Sequence, residues 1–215
     1  MPVLDPVTLI GTYVRLDPLS RAHVPALVSA AVSGPRDSYA FTRVPATEGE
    51  GTAYVDEALA LHGAGRVLPF VTIDAGTGRV VGSTRFLNVE FWTWPAGSPL
   101  QRGAHLPDVV EIGATWLAPA AQRTAINTEA KLLMLTHAFE VWRVHRVSLV
   151  TDSRNMRSRN AILRLGAQFD GILRAARVAF DGAVRHTAAY SILEAEWPAV
   201  KAGLRAKLGD WPASP

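Results

Sequence analysis

The chain has 215 residues, 48% of them hydrophobic, a formal net charge of +3 and no cysteine. That length can bury one sizeable core, so a single domain spanning 1–215 is the expectation, and the missing cysteines exclude disulfides, thiolate metal sites and cysteine nucleophiles. Six histidines lie scattered without HExxH or comparable spacing, so no metal is expected. No apolar run reaches membrane-spanning length, and MPVLDPVTLIG at the amino terminus lacks the order of a signal peptide, so a cytoplasmic protein with no membrane partner is expected.

In chain order, YVRLDPL (Tyr13 to Leu19) alternates as a half-buried strand does. Arg21–Val32 has helical spacing at Val24, Leu27, Val28 and Ala31, and Thr47 with Glu50 resembles a capping box opening a second helix that carries Tyr54, Val55, Ala58, Leu59 and His62. Leu68–Asp74 and Arg79–Leu87, joined by Ala75-Gly76-Thr77-Gly78, read as an antiparallel hairpin. Residues 90–108, EFWTWPAGSPLQRGAHLPD, lose regular periodicity. Such a long insertion is commonly functional, and its Trp92 and Trp94 could line a substrate pocket, bury a dimer contact or simply pack on the core.

An apolar-rich run from Val109 to Leu117 then ends in Ala118-Pro119, and a polar loop, Gln122 to Asn127, leads into a strongly apolar helix that can start at Thr128. Strand, loop and helix start together make an anion site, because free N–H groups and the positive end of the helix dipole converge there; an ordinary strand-to-helix connection is the alternative. The helix Thr128–Val141 places Ala130, Leu133, Met134, Ala138 and Val141 on one face. Val144–Thr151 is a strand, and Asp152–Leu165 a helix capped by Asp152 or Ser153 and ended by Gly166. Gln168–Phe180 and His186–Leu193 form a hairpin around Asp181-Gly182, and Trp197-Pro198 opens a terminal helix.

This order contains one parallel strand–helix–strand crossover, over residues 109–151, with hairpins elsewhere. The fold class is therefore α+β: a central, mixed, mostly antiparallel twisted sheet flanked by helices. Charge is uneven, with nine arginines against three aspartates between Arg143 and His186. Such an excess suggests a polyanionic partner or solvated surface arginines; without a nucleic-acid-binding motif, nucleic acid is the weaker alternative.

Two segments, EIGATWLAPAAQRTAINTEAKL (111–132) and TDSRNMRSRNAILRLGA (151–167), together with the element order, resemble the GNAT superfamily of acetyl-CoA-dependent N-acetyltransferases. The resemblance is closest to the branch of ribosomal-protein N-terminal acetyltransferases and covers nearly the whole chain. It implies an acyl-CoA-binding core over 109–167, with acceptor specificity set by the helices of 21–62 and by the insertion 90–108. It places Gln122, Arg123, Thr124, Ala125, Ile126, Asn127 and Thr128 around the pyrophosphate of acetyl-CoA. Ala125 and Asn127 stand where the family loop carries small residues; Asn127 tolerates a left-handed conformation or caps a helix. It implies a splay or bulge near Trp116 and Leu117 where backbone groups hold pantetheine and polarise the acetyl carbonyl. Asn155 falls beside the pantetheine arm and Ser158 beside the thioester sulfur. Ile162 replaces the tyrosine that serves many members as general acid, so Ser158 becomes the candidate to stabilise or protonate the thiolate, unless it merely caps its helix.

Acyl transfer also needs a neutral amine, and amines with pKa near 8 or above are mostly protonated at pH 7. Glu111 is the candidate base: in a period-two strand it shares a face with Gly113 and Thr115, the small Gly113 leaving room for substrate or a relaying water. A structural ion pair with a neighbouring arginine is the alternative. The expected activity is acetyl transfer to a primary amine in a ternary complex, the acceptor being a protein or peptide N-terminus or a small molecule. A catalytically silent CoA-binding module is the competitor, and family habit leaves a homodimer open.

Overall fold

The computed structural model describes residues 4–103 and 105–211. Eight strands form one sheet: β1 (Leu9–Ile10), β2 (Val14–Pro18), β3 (Val67–Asp74), β4 (Val80–Glu90), β5 (Val109–Leu117), β6 (Arg146–Asp152), β7 (Gln168–Val178) and β8 (Val184–Leu193). Their order is β1-β2-β3-β4-β5-β6-β8-β7, and every neighbouring pair is antiparallel except β5–β6. Helices α1 (Val24–Ala31) and α2 (Glu48–Gly63) cover one face, burying Leu27, Tyr54 and Val55 with Val71, Ile73 and Trp116. Helices α3 (Ala125–Thr136), α4 (Met156–Leu165) and α5 (Trp197–Gly209) lie on the other, where Met134, Leu135, Leu165 and Leu204 pack with Phe70, Phe86, Ile112 and Tyr190. The expected sheet, with its single parallel crossover through α3, is the one observed.

Several boundaries differ from the sequence reading for identifiable reasons. α3 begins at Ala125, three residues before the expected Thr128, because the Thr124 side chain caps it by accepting the Ile126 N–H at 3.3 Å. Its end widens into a π-helical turn, His137–Trp142, closed by a left-handed Arg143 at φ 59°. The wider turn rotates the last residues, so Trp142 is buried and Val141, expected inside, is 57% exposed. α4 starts at Met156 with Asn155 as cap; Asp152 instead accepts the backbone N–H and guanidinium of Arg154.

α3 is tied to the far edge of the sheet by one carboxylate. Glu129, buried on the helix, accepts the N–H groups of Thr12, Tyr13 and Val14 at 2.8, 2.6 and 2.8 Å, satisfying the turn between β1 and β2. A Cβ on Gly11 would sit 2.4 Å from this carboxylate, so any larger residue there would displace it from its three donors. Glu129→Ala is expected to lower the unfolding free energy by about 3 kcal/mol in denaturant titration, because three backbone donors, that of Val14 buried, lose a charged acceptor at once. Glu129→Gln should recover part of the loss.

Candidate functional site

β5 and β6 pair only at Val109–Arg146, Val110–Val147 and Glu111–Ser148, after which they part. Backbone groups of β5 from Ile112 onward therefore have no β6 partner, and a cavity of about 780 Å³ opens between the two strands. Against its other neighbour, β4, the strand β5 is bulged: Ser83 faces Trp116 and Arg85 faces Gly113, leaving Thr84 opposite both Ala114 and Thr115. Ala114 takes the extra residue with φ 48°. The bulge thus lies at Ala114–Thr115, two residues nearer Glu111 than expected. It also reverses the alternation, so Thr115 turns toward Lys131 of α3 while Trp116 joins the α1–α2 cluster. Glu111 consequently shares its face with Gly113 and not with Thr115. Gly82 permits the close strand approach here, since a Cβ would meet the Trp116 carbonyl oxygen at 2.1 Å.

At the outer end of the cavity the chain turns through Gln122 to Thr124. Arg123, not Asn127, is the left-handed residue of this loop, at φ 62°, and Asn127 sits inside the first helical turn. Helix geometry leaves the N–H groups of Ala125 and Asn127 without intrahelical acceptors beside this opening. Gln122, Arg123, Thr124 and Asn127 line the cavity; Ala125, Ile126 and Thr128 are buried behind it. Gln122 braces the loop by donating to the Leu117 carbonyl at 2.9 Å. Arg157 and Arg164 of α4 reach the same opening, the first donating to Gln122 Oε1 at 3.4 Å and the second to Thr128 Oγ1 at 3.5 Å.

Deeper in, Asn155 Oδ1 accepts the Ser158 N–H at 3.0 Å, so Asn155 is the cap of α4 and the Ser158 hydroxyl faces the cavity with no partner among the described residues. Ile162 packs into the core beside it. Tyr39, from the link between α1 and α2, stands edge-on to Trp116 with ring centroids 6.0 Å apart. The Tyr39 hydroxyl and Trp116 Nε1 are both buried in the cavity wall without hydrogen-bond partners among the described residues.

Glu111 closes the inner end and is 8% exposed. Asn88, left-handed at φ 48° where β4 slips register, donates to Glu111 Oε2 at 2.9 Å. Burial raises the carboxyl pKa above its ordinary value, opposed by the Asn88 hydrogen bond and the positive charges of Arg177 and Arg185. A second cavity, of about 610 Å³ and lined by Leu61, Arg66, Asn88 and Glu90 among others, shares Leu87, Glu111, Ala114 and Val150 with the first. Glu111 therefore stands where the two cavities meet.

A model of the acetyltransferase (GNAT) domain matches residues 14–168, which hold α1 to α4, the bulged strand, the whole lining of the second cavity and all of the first except the part given by the β7–β8 hairpin. The chain belongs to the GNAT acetyltransferase family. This places it among acetyl-CoA-dependent N-acetyltransferases. Similar solved structures include a GCN5-related N-acetyltransferase from Brucella melitensis, 30% identical with a TM-score of 0.79, covering 96% of this chain and 87% of that one. The fold is shared by RimJ from Mycobacterium smegmatis in complex with CoA-disulfide (22% identity, TM-score 0.75, 96% and 98% covered). It is shared also by ribosomal-protein-S5-alanine acetyltransferase from Vibrio fischeri (14% identity, TM-score 0.67, 89% and 98% covered). No curated protein sequence matches the chain.

Within this GNAT acetyltransferase the expected residues Glu111, Trp116, Leu117, Gln122, Arg123, Thr124, Asn127, Asn155 and Ser158 line one cavity. Trp92 and Trp94 lie elsewhere. Their indoles pack against His145, and Asp108 accepts the Trp92 backbone N–H at 2.6 Å and the Trp94 Nε1–H at 2.8 Å, pinning the insertion beside the start of β5. Sequence reasoning missed Asn88, Tyr39, Arg157 and Arg164. Only the arginines left a signal, in the basic excess of 143–186. Five of its nine members, Arg154, Arg157, Arg164, Arg177 and Arg185, turn into the cavity. Among the described residues no helix is long and apolar enough to cross a membrane.

Proposed function

We propose that the protein moves an acetyl group from acetyl-CoA to a primary amine by direct attack within a ternary complex, with Glu111 as general base. The observation that carries this reading is the position of Glu111, at the junction of a long cavity fitted for a nucleotide thioester and a shorter one open to an acceptor. The first-turn N–H groups of α3, with Arg123, Arg157 and Arg164, suit a pyrophosphate. The unpaired edge of β5 offers peptide groups to pantetheine, and an N–H beside the bulge can polarise the acyl carbonyl. The thioester supplies the acyl group and a thiolate leaving group.

As the amine nitrogen bonds to the acyl carbon, its proton passes to Glu111, directly or through one water. The C–S bond then breaks, and the thiolate departs toward the amino terminus of α4, where Ser158 can donate a proton or hydrogen bond to it. Holding both partners in one geometry supplies much of the acceleration.

Calorimetry with coenzyme A, followed by an acetyl-CoA consumption assay over a mixed peptide and amine library, tests the proposal. No detectable binding at millimolar coenzyme A overturns it. Arg123→Ala is expected to weaken coenzyme A binding by about tenfold, less at high salt, since the side chain is exposed. A CoA-binding module without turnover is the competing reading, favoured by Ile162 where an acid would serve; a turnover rate that depends on Glu111 removes it.

A further inference from the structure

In the wall of the first cavity, near its junction with the second at Glu111, two cations lack a counterion among the described residues. Arg177 of β7 and Arg185 of β8 face each other in register across the hairpin, and both line the cavity that contains Glu111. Arg185 is only 8% exposed, and its one hydrogen bond is from Nε to Thr187 Oγ1 at 3.1 Å; Arg177 forms no hydrogen bond or ion pair among the described residues. The acids nearby are committed elsewhere. Both oxygens of Asp152 accept from Arg154, at 3.0 and 2.8 Å, and Asp181 accepts from Arg154 at 2.7 Å. Asp170 accepts the Ser191 hydroxyl at 2.8 Å. Glu111 feels both arginines electrostatically without forming an ion pair with either.

A guanidinium cannot escape burial by losing its proton, and two set side by side repel one another. A ligand anion placed against them would relieve both costs. The pyrophosphate end of the cleft already has its own arginines, Arg123, Arg157 and Arg164, beside the start of α3. Glu111 and the arginine pair, by contrast, bracket one space with an acid on one side and two cations on the other.

Building on the acetyl-transfer reading, we propose that the acceptor is an amine that carries a carboxylate a few bonds from its nitrogen, the amine lying at Glu111 and the carboxylate between Arg177 and Arg185. That carboxylate belongs either to a free amino acid or to an acidic side chain at the amino terminus of a peptide. The fork of each guanidinium matches a carboxylate in a bidentate manner, which a carboxamide cannot reproduce.

The test measures kcat/KM with acetyl-CoA for matched pairs. One arm compares free aspartate and glutamate with their α-amides; the other compares peptide amides beginning Asp or Glu with those beginning Asn or Gln. Wild type is expected to favour the acid over its amide by about 10–100-fold in one arm, which identifies the source. Arg177→Gln, at an exposed position that folding tolerates, and Arg185→Gln each shrink that ratio toward one without changing coenzyme A affinity. Amides turned over as well as acids overturn this inference and leave acetyl transfer standing. So does a loss of coenzyme A binding in either variant, which would assign the pair to phosphate. No turnover with any amine sinks both readings together.

Discussion

Glu111→Gln is expected to lower kcat/KM for the acceptor amine by about 10²–10⁴-fold while coenzyme A still binds, the range for loss of a positioned general base. The amide keeps the length of the side chain and can still accept from Asn88, whose Nδ2 lies 2.9 Å from Glu111 Oε2. What it cannot do is take a proton. In the wild type, the acid limb of the kcat/KM profile should report a carboxyl titrating above the ordinary glutamate value, because burial raises it. In the variant that limb should vanish. Stability should move the opposite way. A carboxyl whose folded pKa is raised binds its proton more tightly in the native state, so stability falls as pH rises from the unfolded value through the folded one. At neutral pH the charge is a net cost, and Glu111→Gln should melt no lower than wild type. A residue held only for a structural ion pair would give the reverse: a lower melting temperature with activity little changed.

How far the sequence disclosed this site depends on whether a feature is carried by periodicity or by a break in it. β5 was legible because Val109 to Leu117 is an apolar-rich run closed by Ala118-Pro119, and α3 because its apolar spacing is strong. The bulge at Ala114 was not, since alanine has no preference for φ 48° and nothing local requires it; the position follows from pairing with β4. One inserted residue was enough to move Thr115 to the opposite face from Glu111. Similarly, the π turn at 137–142 comes from packing of Trp142 against Phe86, whose rings lie 4.7 Å apart, and no propensity announces it. Asn88 and Tyr39 reach the site from segments distant in sequence, so only the folded sheet brings them beside Glu111 and Trp116. The two-cation hairpin was visible as composition, but the facing of Arg177 and Arg185 required the register of β7 on β8.

Lys131→Met is expected to stabilise the protein, and by more the lower the pH. Lys131 lies on the buried side of α3, 5% exposed, and its ammonium donates to Thr115 Oγ1 at 2.8 Å and Thr84 Oγ1 at 3.1 Å with no ion-pair partner among the described residues. Burial pushes its pKa down from 10.5 to about 7. Between these values the unfolded chain holds a proton that the native state has released, so stability rises with pH across that window. Below pH 7 both states are charged and the whole cost of burying the ammonium remains, up to about 5 kcal/mol from a shift of this size. Methionine keeps the unbranched length against Met134, and Thr84 and Thr115 retain their mutual hydrogen bond at 2.8 Å, so the substitution strands no donor. Denaturant unfolding at pH 6 should show the variant more stable by several kcal/mol, with the gap closing toward pH 10. A variant no more stable than wild type at pH 6 would mean that the two hydroxyls already compensate the buried charge.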